Sequence, residues 1–410
     1  ICKVDVGGNE LLQIVCGAEN VKKDAFVPVA LPGASLGNGS FKIKKSKIRG
    51  EESYGMICSE KELDISNNHD GIMILEGNHN IGMPFEDFLK IDNDILIDFD
   101  LTPNRGDCLS FLGIAREIAI LESLPHEKLT NKVIKDNSFS IIENKDYIND
   151  KVSVDIEDSN ACPLYLGRII NNVDIQDSPK WLQDKINVLG MKSINIIVDL
   201  ANYVMLTLGQ PMHTFDFDKL PSKKISVGYP SSVKKITTLD STDRELSSKN
   251  LLIKDGELPI AIAGIIGGQN TEVDTKTKNI FIESALFNPT IIRKSAKSID
   301  LSTEASRRYE RSVDPEIARI AIDILTGLII KYSGGKACKN LIELGEEPKN
   351  SDEIKFNISD CNHFLGTSLT NKEIEGVLIK VNISYSRSKE SYSCVAPSYR
   401  AHDIKRDVDI

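Results

Sequence analysis

Glu283 closes an apolar, strand-like run, Ile280-Phe281-Ile282, and any fold for this chain has to house it. A carboxylate is expensive to bury unless it is paired or hydrogen-bonded, so the acid needs a partner or a task. Twenty residues on, Thr303-Glu304-Ala305-Ser306 sets small and hydroxylated side chains before a basic run, Arg307, Arg308 and Arg311. Two readings stand side by side. An acid, a threonine and a small alanine would line a pocket whose polar wall recognises a hydroxyl. A strand end with an ion-paired glutamate, then a helix capped by Ser or Thr, explains the same residues without a ligand.

One core does not fill 410 residues, and two to four domains are expected. A formal charge of −10 argues against a protein that coats nucleic acid indiscriminately, and leaves room for a local basic face. The eight cysteines contain no CxxC pair, which favours reduced thiols in a cytoplasm over a zinc site or a disulfide framework. The longest uncharged apolar run, Leu258 to Gly268, is too short to span a bilayer. The sequence starts at Ile1 without an initiator Met and stops at Ile410 inside an alternating run. Both ends read as cut from a larger chain. No P-loop glycine–lysine signature marks an ATP site.

Residues 1 to about 90 read as short strands with turn chemistry at VDVGGNE, LPGASLGNGS and NNHDG. Within them, Phe41 to Arg49 carries five cations (Lys42, Lys44, Lys45, Lys47 and Arg49) and no acid. Phe41, Ile43 and Ile48 alternate with the lysines, so a strand with one basic face is expected. Such a face would follow a phosphate backbone, or simply be a lysine-protected sheet edge. Residues 94–101 alternate Ile95, Ile97, Phe99 and Leu101 with Asp94, Asp98 and Asp100, the pattern of a half-buried strand. TPNRGDCLS then turns into a helix, its Asn-Arg-Gly-Asp corner explained by an Asp cap or by function.

Residues 125–152 are polar and weakly periodic, and read as a connector. Ser178-Pro179 caps a helix bearing Trp181, Leu182, Ile186 and Leu189; a β-branched run, Ile194 to Leu200, follows. His213 lies in a Gly/Pro turn beside Asp216, where an imidazole either moves a proton or holds structure. Gly264, Gly267 and Gly268 let a backbone come close to something, or form the turn of a buried strand. Asp314-Pro315-Glu316 opens a further helix, and Thr370-Asn371-Lys372-Glu373 is a capping box for another. A strand pair around Ser384–Val395 ends in the turn APSYRAHD. Asp403, Asp407 and Asp409 are either hard-cation ligands or solvated charge.

Several of these stretches resemble one family. CKVDVGGNELLQIVCGAENV, FKIKKSKIRGEESYGMICSEKEL and DGIMIL look like an oligonucleotide-binding-fold tRNA-binding domain. NYVMLTLGQPMHTFDFDKL, IAGIIGG, IFIESALFNP and STEASRRYERSVDP, in that order, resemble the editing domain of bacterial phenylalanyl-tRNA synthetase β subunits. The resemblance covers nearly the whole chain. It implies an α+β multidomain protein: a β-barrel tRNA-binding domain (1–92), a helix-containing connecting segment (93–152), a mixed α/β editing domain (153–345) and a small, truncated α+β domain (346–410).

In that family an α subunit makes phenylalanyl-tRNA within an (αβ)2 heterotetramer that uses ATP, and the β subunit binds tRNA(Phe) and hydrolyses tyrosine wrongly attached to it. The resemblance places the catalytic roles on Asn202, His213, Glu283 and Thr303, and substrate binding on Pro211, Ala263, Gly264 and Ala305. Ala201 stands where the family often has Thr, one hydroxyl fewer beside Asn202. Glu283 would accept the tyrosine hydroxyl, and small Ala305 and Gly264 would leave room for the ring. A Mg²⁺ site is implied at Asp403 and Asp409, incomplete because its glutamate pair would lie past Ile410. A non-catalytic tRNA-binding scaffold with an inert pocket is the alternative.

Overall fold

The computed structural model describes residues 1–37, 39, 41–65, 69–89, 95–348 and 352–410, which divide into two units, Ile1–Ile97 and Asp98–Ile410. In the first unit the described strands form four two-stranded antiparallel pairs: Cys2–Val4 with Leu12–Ile14, Val29–Ala30 with Met56–Ile57, Ser35–Leu36 with Phe41–Lys42, and Ser46–Ile48 with Glu51–Ser53. Ile14, Ile57 and Ile72 make one small core, and Ala30, Ile43 and Cys58 another.

The basic run is therefore not one strand. It breaks at Ile43, which alone is buried, while Phe41 and Ile48 stay exposed. The alternating run after it is also not a strand: residues 95–100 carry no strand, and Leu96, Ile97 and Phe99 are exposed. Alternation makes a half-buried strand only where a sheet edge receives it. Asp94 lies outside the described residues.

Elements of the second unit are numbered along it. Ser110 caps α1 (Phe111–Leu121), its hydroxyl accepting from the Gly113 N–H. The polar stretch expected as a connector instead forms α2 (His126–Asn137) and β1 (Glu143–Tyr147). β2 (Ser153–Ile156) and β3 (Leu164–Asn171) lead to α3 (Lys180–Val188) and α4 (Ile196–Leu208). Then come β4 (Met212–Asp216), β5 (Lys224–Gly228), β6 (Leu252–Asp255), β7 (Leu258–Ile262), β8 (Ile266–Gly267) and β9 (Asn279–Leu286). α5 (Pro289–Ser298), α6 (Glu304–Tyr309) and α7 (Ile317–Ser333) precede β10 (Lys336–Lys339) and β11 (Ile342–Gly345). Last are β12 (Ile354–Asn357), α8 (Ile358–Leu365), α9 (Asn371–Lys380), β13 (Ser384–Ser388) and β14 (Ser391–Val395).

β4, β9, β3, β10 and β1 pair in that order, and β11 joins the same edge of β3 as β10. A second sheet runs β2–β5–β6–β7–β8. Alternation along β9 sends Ile280, Ile282 and Leu286 to one face, where α3, α4 and α7 cover them. Phe281 and Ala285 go to the other face and pack, with Tyr165 and Phe215, against Ile225, Ile253 and Ile262 of the second sheet. Glu283 shares the parity of Phe281 and Ala285, so it points between the two sheets.

Local chemistry explains where expected helices moved. Asn195 accepts from the N–H groups of Ile197 and Val198, and Gly209 at φ +87° ends the helix, so the β-branched run becomes α4. The Ser178 hydroxyl does not cap α3; it donates to Asp199 at 2.6 Å. The Thr370–Glu373 capping box opens α9 as expected, and β13 pairs with β14 beside β12. No helix among the described residues is long and apolar enough to cross a membrane.

Candidate functional site

β4 and β9 are antiparallel with His213 directly opposite Glu283. Directly opposed side chains on one face stand about 5 Å apart at Cβ. Both line a cavity of about 60 Å³ between the sheets, together with Pro211, Met212, Gly264, Ile266, Gly267, Ala305 and Tyr309. That volume holds roughly two waters.

Burial pushes the Glu283 carboxyl up to about 8, against the opposing pull of a hydrogen bond that the Tyr165 hydroxyl donates to Oε2 at 3.1 Å. Burial alone draws His213 down to about 4, so near neutral pH the imidazole is uncharged and the glutamate mostly protonated. His213 makes no hydrogen bond among the described residues; its ring meets Phe215 edge-on at 4.5 Å. Gly267 makes room for it, since a Cβ there would sit 2.4 Å from the imidazole Cε1.

Five of the eight pocket residues expected from the sequence thus meet: Pro211, His213, Gly264, Glu283 and Ala305. Three do not. Asn202 sits half-buried in the middle of α4, whose apolar side packs on the opposite face of the sheet. Ala263 is buried in the core and gives its N–H to Leu251. Thr303 is the cap of α6: its hydroxyl accepts from the Ser306 N–H and donates to the Ile265 carbonyl at 2.8 Å. With both functions committed, it positions Ala305 against the Ile265 turn and does not face the cavity. Gly264 has a backbone reason as well. Its φ of +66° favours glycine, and a Cβ would strike Tyr309 at 2.9 Å, so its missing side chain also serves the packing of the cavity wall.

Tyr165 and Tyr309 carry polar roles that the sequence did not announce. Tyr309 is buried with its hydroxyl 3.0 Å from the carbonyls of both Pro211 and Ala285, tying α6 to the cavity wall. No local pattern pairs Tyr165 with an acid 118 residues away.

Two other expected sites fare differently. Lys42 and Lys44 line a broad cleft of about 1430 Å³ in the first unit, beside exposed Phe41 and Ile48. Lys45 is engaged by Glu52 at 3.2 Å and lies over the Tyr54 ring, and Lys47 faces Glu52 across the ladder, so acids soften this basic face. Arg49 is exposed at a turn with φ +50°. Asp403 and Asp409 are not joined in one ligand set. Arg400 binds Asp403 through Nε and Nη2 at 3.0 and 2.8 Å, and Arg406 holds Asp409 at 3.1 Å. Carboxylates already neutralised by guanidinium do not fit a Mg²⁺ site. The one cluster of metal-ligand types among the described residues, Asp107, Cys108 and Glu117, surrounds Arg105, whose Nη2 reaches them at 2.8, 3.0 and 2.5 Å.

Three family models match the chain: "B3/4 domain" over 161–334, "Putative tRNA binding domain" over 1–84 and "tRNA synthetase B5 domain" over 354–410. Similar curated proteins include the phenylalanine–tRNA ligase β subunits of Fusobacterium nucleatum (43% identical, covering 100% of this chain and 50% of the relative), Desulfotalea psychrophila (42%, 100% and 49%) and Geobacter metallireducens (41%, 100% and 50%). The chain spans about half the length of the curated relatives it matches. A solved N-terminal fragment of the Pyrococcus horikoshii phenylalanyl-tRNA synthetase β subunit aligns at TM-score 0.33 and 18% identity over 75% of this chain and 82% of that one, too remote to carry an argument. A mixed α/β, multidomain protein with tRNA-binding, B3/4 and B5 domains, this chain belongs to the phenylalanine–tRNA ligase β-subunit family.

Proposed function

We propose that the chain binds tRNA(Phe) through its first unit and removes tyrosine wrongly esterified to it at the cavity between the sheets. One observation carries this reading: a buried glutamate and a neutral histidine, brought into register by β4 and β9, open onto one small cavity. Tyrosine and phenylalanine differ by one hydroxyl. An apolar pocket separates such a pair about 10²-fold, whereas a site built to hydrogen-bond the hydroxyl separates them about 10⁴–10⁵-fold. Glu283 supplies that bond. His213, with a pKa of about 4, is a weak base near neutrality and serves to orient the ester or a water. The attacking group is water, helped by positioning and by the terminal ribose of the tRNA, with no covalent intermediate. At about 60 Å³ the cavity has to widen to take a phenol ring, and Met212 and Ile266, which line it and are half-buried, are the side chains that would have to shift.

We infer that the first unit, whose described strands form four separate antiparallel pairs, acts as an oligonucleotide-binding module, with Lys42, Lys44, Lys45, Lys47 and Arg49 following the tRNA backbone. Amino-acid activation, and the ATP it consumes, belongs to an α subunit in an (αβ)2 heterotetramer. The eight free cysteines suit a reducing cytoplasm. The narrow cavity, with Asn202 and Thr303 turned away from it, favours a second reading: a tRNA-binding scaffold with an inert pocket.

A deacylation assay on tyrosyl- and phenylalanyl-tRNA(Phe) separates the two. Editing predicts hydrolysis of the tyrosyl ester alone, lowered about 10²-fold by Glu283→Ala with tRNA binding retained. Binding without hydrolysis of either ester supports the scaffold, and an unchanged rate in Glu283→Ala removes Glu283 from the mechanism.

A further inference from the structure

The Glu283 carboxyl has two oxygens with different fates. Oε2 receives the Tyr165 hydroxyl at 3.1 Å. Oε1 accepts from no described residue, yet it is not sealed off, and the side chain lines the cavity. The sheet produces this asymmetry. Gly167 of β3 stands directly opposite Glu283 on β9, and Ala285 stands opposite Tyr165, so the phenol reaches the acid along the diagonal over a neighbour without a side chain. Tyr165 is itself fully buried, with its hydroxyl spent on this one bond.

We propose that Tyr165 is a positioning residue for amino-acid selection: by donating to Oε2 of Glu283 it fixes which oxygen faces inward and presents Oε1 to the phenolic hydroxyl of the bound aminoacyl group. This rests on the editing reading above. An oxygen that accepts from a phenol is the carbonyl-type oxygen of a neutral acid, so the proton resides on Oε1 and is offered to the ligand. In the carboxylate, Oε1 is a free acceptor. In either state a phenol finds a partner and a phenyl ring does not. Without Tyr165 the carboxyl is free to rotate, and its two oxygens lose their distinct roles. The buried phenol also favours the ionised form, so its removal raises the Glu283 pKa further.

The test uses the full-length protein and Tyr165→Phe, which removes one oxygen. The ratio of tyrosyl- to phenylalanyl-tRNA hydrolysis should fall about tenfold, through weaker handling of the tyrosyl ester. Independently of activity, the pH inflection in thermal stability that distinguishes wild type from Glu283→Gln should move to higher pH in Tyr165→Phe. A wild-type ratio, or an unmoved inflection, overturns the proposal. Should Tyr165→Phe fail to fold, 3,5-difluorotyrosine at 165 keeps the shape and donates more strongly. The inflection should then move to lower pH, and no movement again overturns the proposal. If wild type hydrolyses neither ester, the editing reading fails on its own, while the inflection still reports whether Tyr165 governs Glu283.

Discussion

At position 283 the fold holds an acid in a place that penalises its charge. The folded carboxyl titrates near 8 against an ordinary 4.5, so the native state keeps a proton that the unfolded chain gives up in between. The contribution of this group is complete below about pH 4.5 and is lost as pH climbs through 8. His213 works in the opposite sense: lowered from 6.5 to about 4, it supports the fold above 6.5 and loses that support as pH falls toward 4. Glu283→Gln should therefore flatten the alkaline limb. Its advantage over wild type should grow from pH 5 to pH 9, toward an order of 5 kcal/mol, in denaturant titrations at each pH. A difference that stays constant with pH would mean that the carboxyl is better solvated than its surroundings indicate.

Helix α6 shows how a short element shapes a cavity. Six residues do not hold a helix on their own. The Thr303–Ser306 capping box begins it, the Thr303 hydroxyl fastens it to Ile265, and Arg308 ties it to the Leu109 carbonyl at 3.1 Å. Thr303→Ala removes the cap and the tether together. It should cost about 1–2 kcal/mol of stability by chemical denaturation and slow hydrolysis, by loosening Ala305 against the pocket. Ala305→Trp should fill the cavity and abolish hydrolysis without unfolding; normal editing in that variant would place the pocket elsewhere. The sequence announced this helix because its cap and its first turn are neighbours in the chain. It announced His213 and Glu283 by residue type, an imidazole after a Gly/Pro pair and an acid after an apolar run, although His213 lies in β4 and not in the expected turn, and Glu283 lies inside β9 and not at its end. The diagonal from Tyr165 was not legible, since strand register decides it. Nor was the commitment of Thr303 to a backbone carbonyl, which depends on where the Ile265 turn lands. The exposed run at 95–100 failed for the converse reason, a clear pattern without a pairing partner to complete it.

Over the whole molecule, a net charge of −10 coexists with a cluster of cations that acids partly offset. Contacts to phosphate release counterions, so their number can be read from salt dependence. Replacing Lys42 and Lys44 with Gln should weaken tRNA binding at every salt concentration and reduce the log–log salt slope by about 2 in titrations. Lys45→Gln should change it less, because Glu52 already engages that ammonium. The three family matches describe modules, and within the second unit the stretch that precedes the B3/4 match is tied to the B5 match: Arg116 lies over the Tyr399 ring at 4.0 Å, and Asn104 reaches Asp403 at 3.4 Å. On the proposed editing reading, the acid at 283 sets durability against discrimination. An apolar residue of similar size there would give a sturdier protein, so heat alone, acting as the selective pressure over generations, would erode the accuracy of the pocket before it harmed the fold.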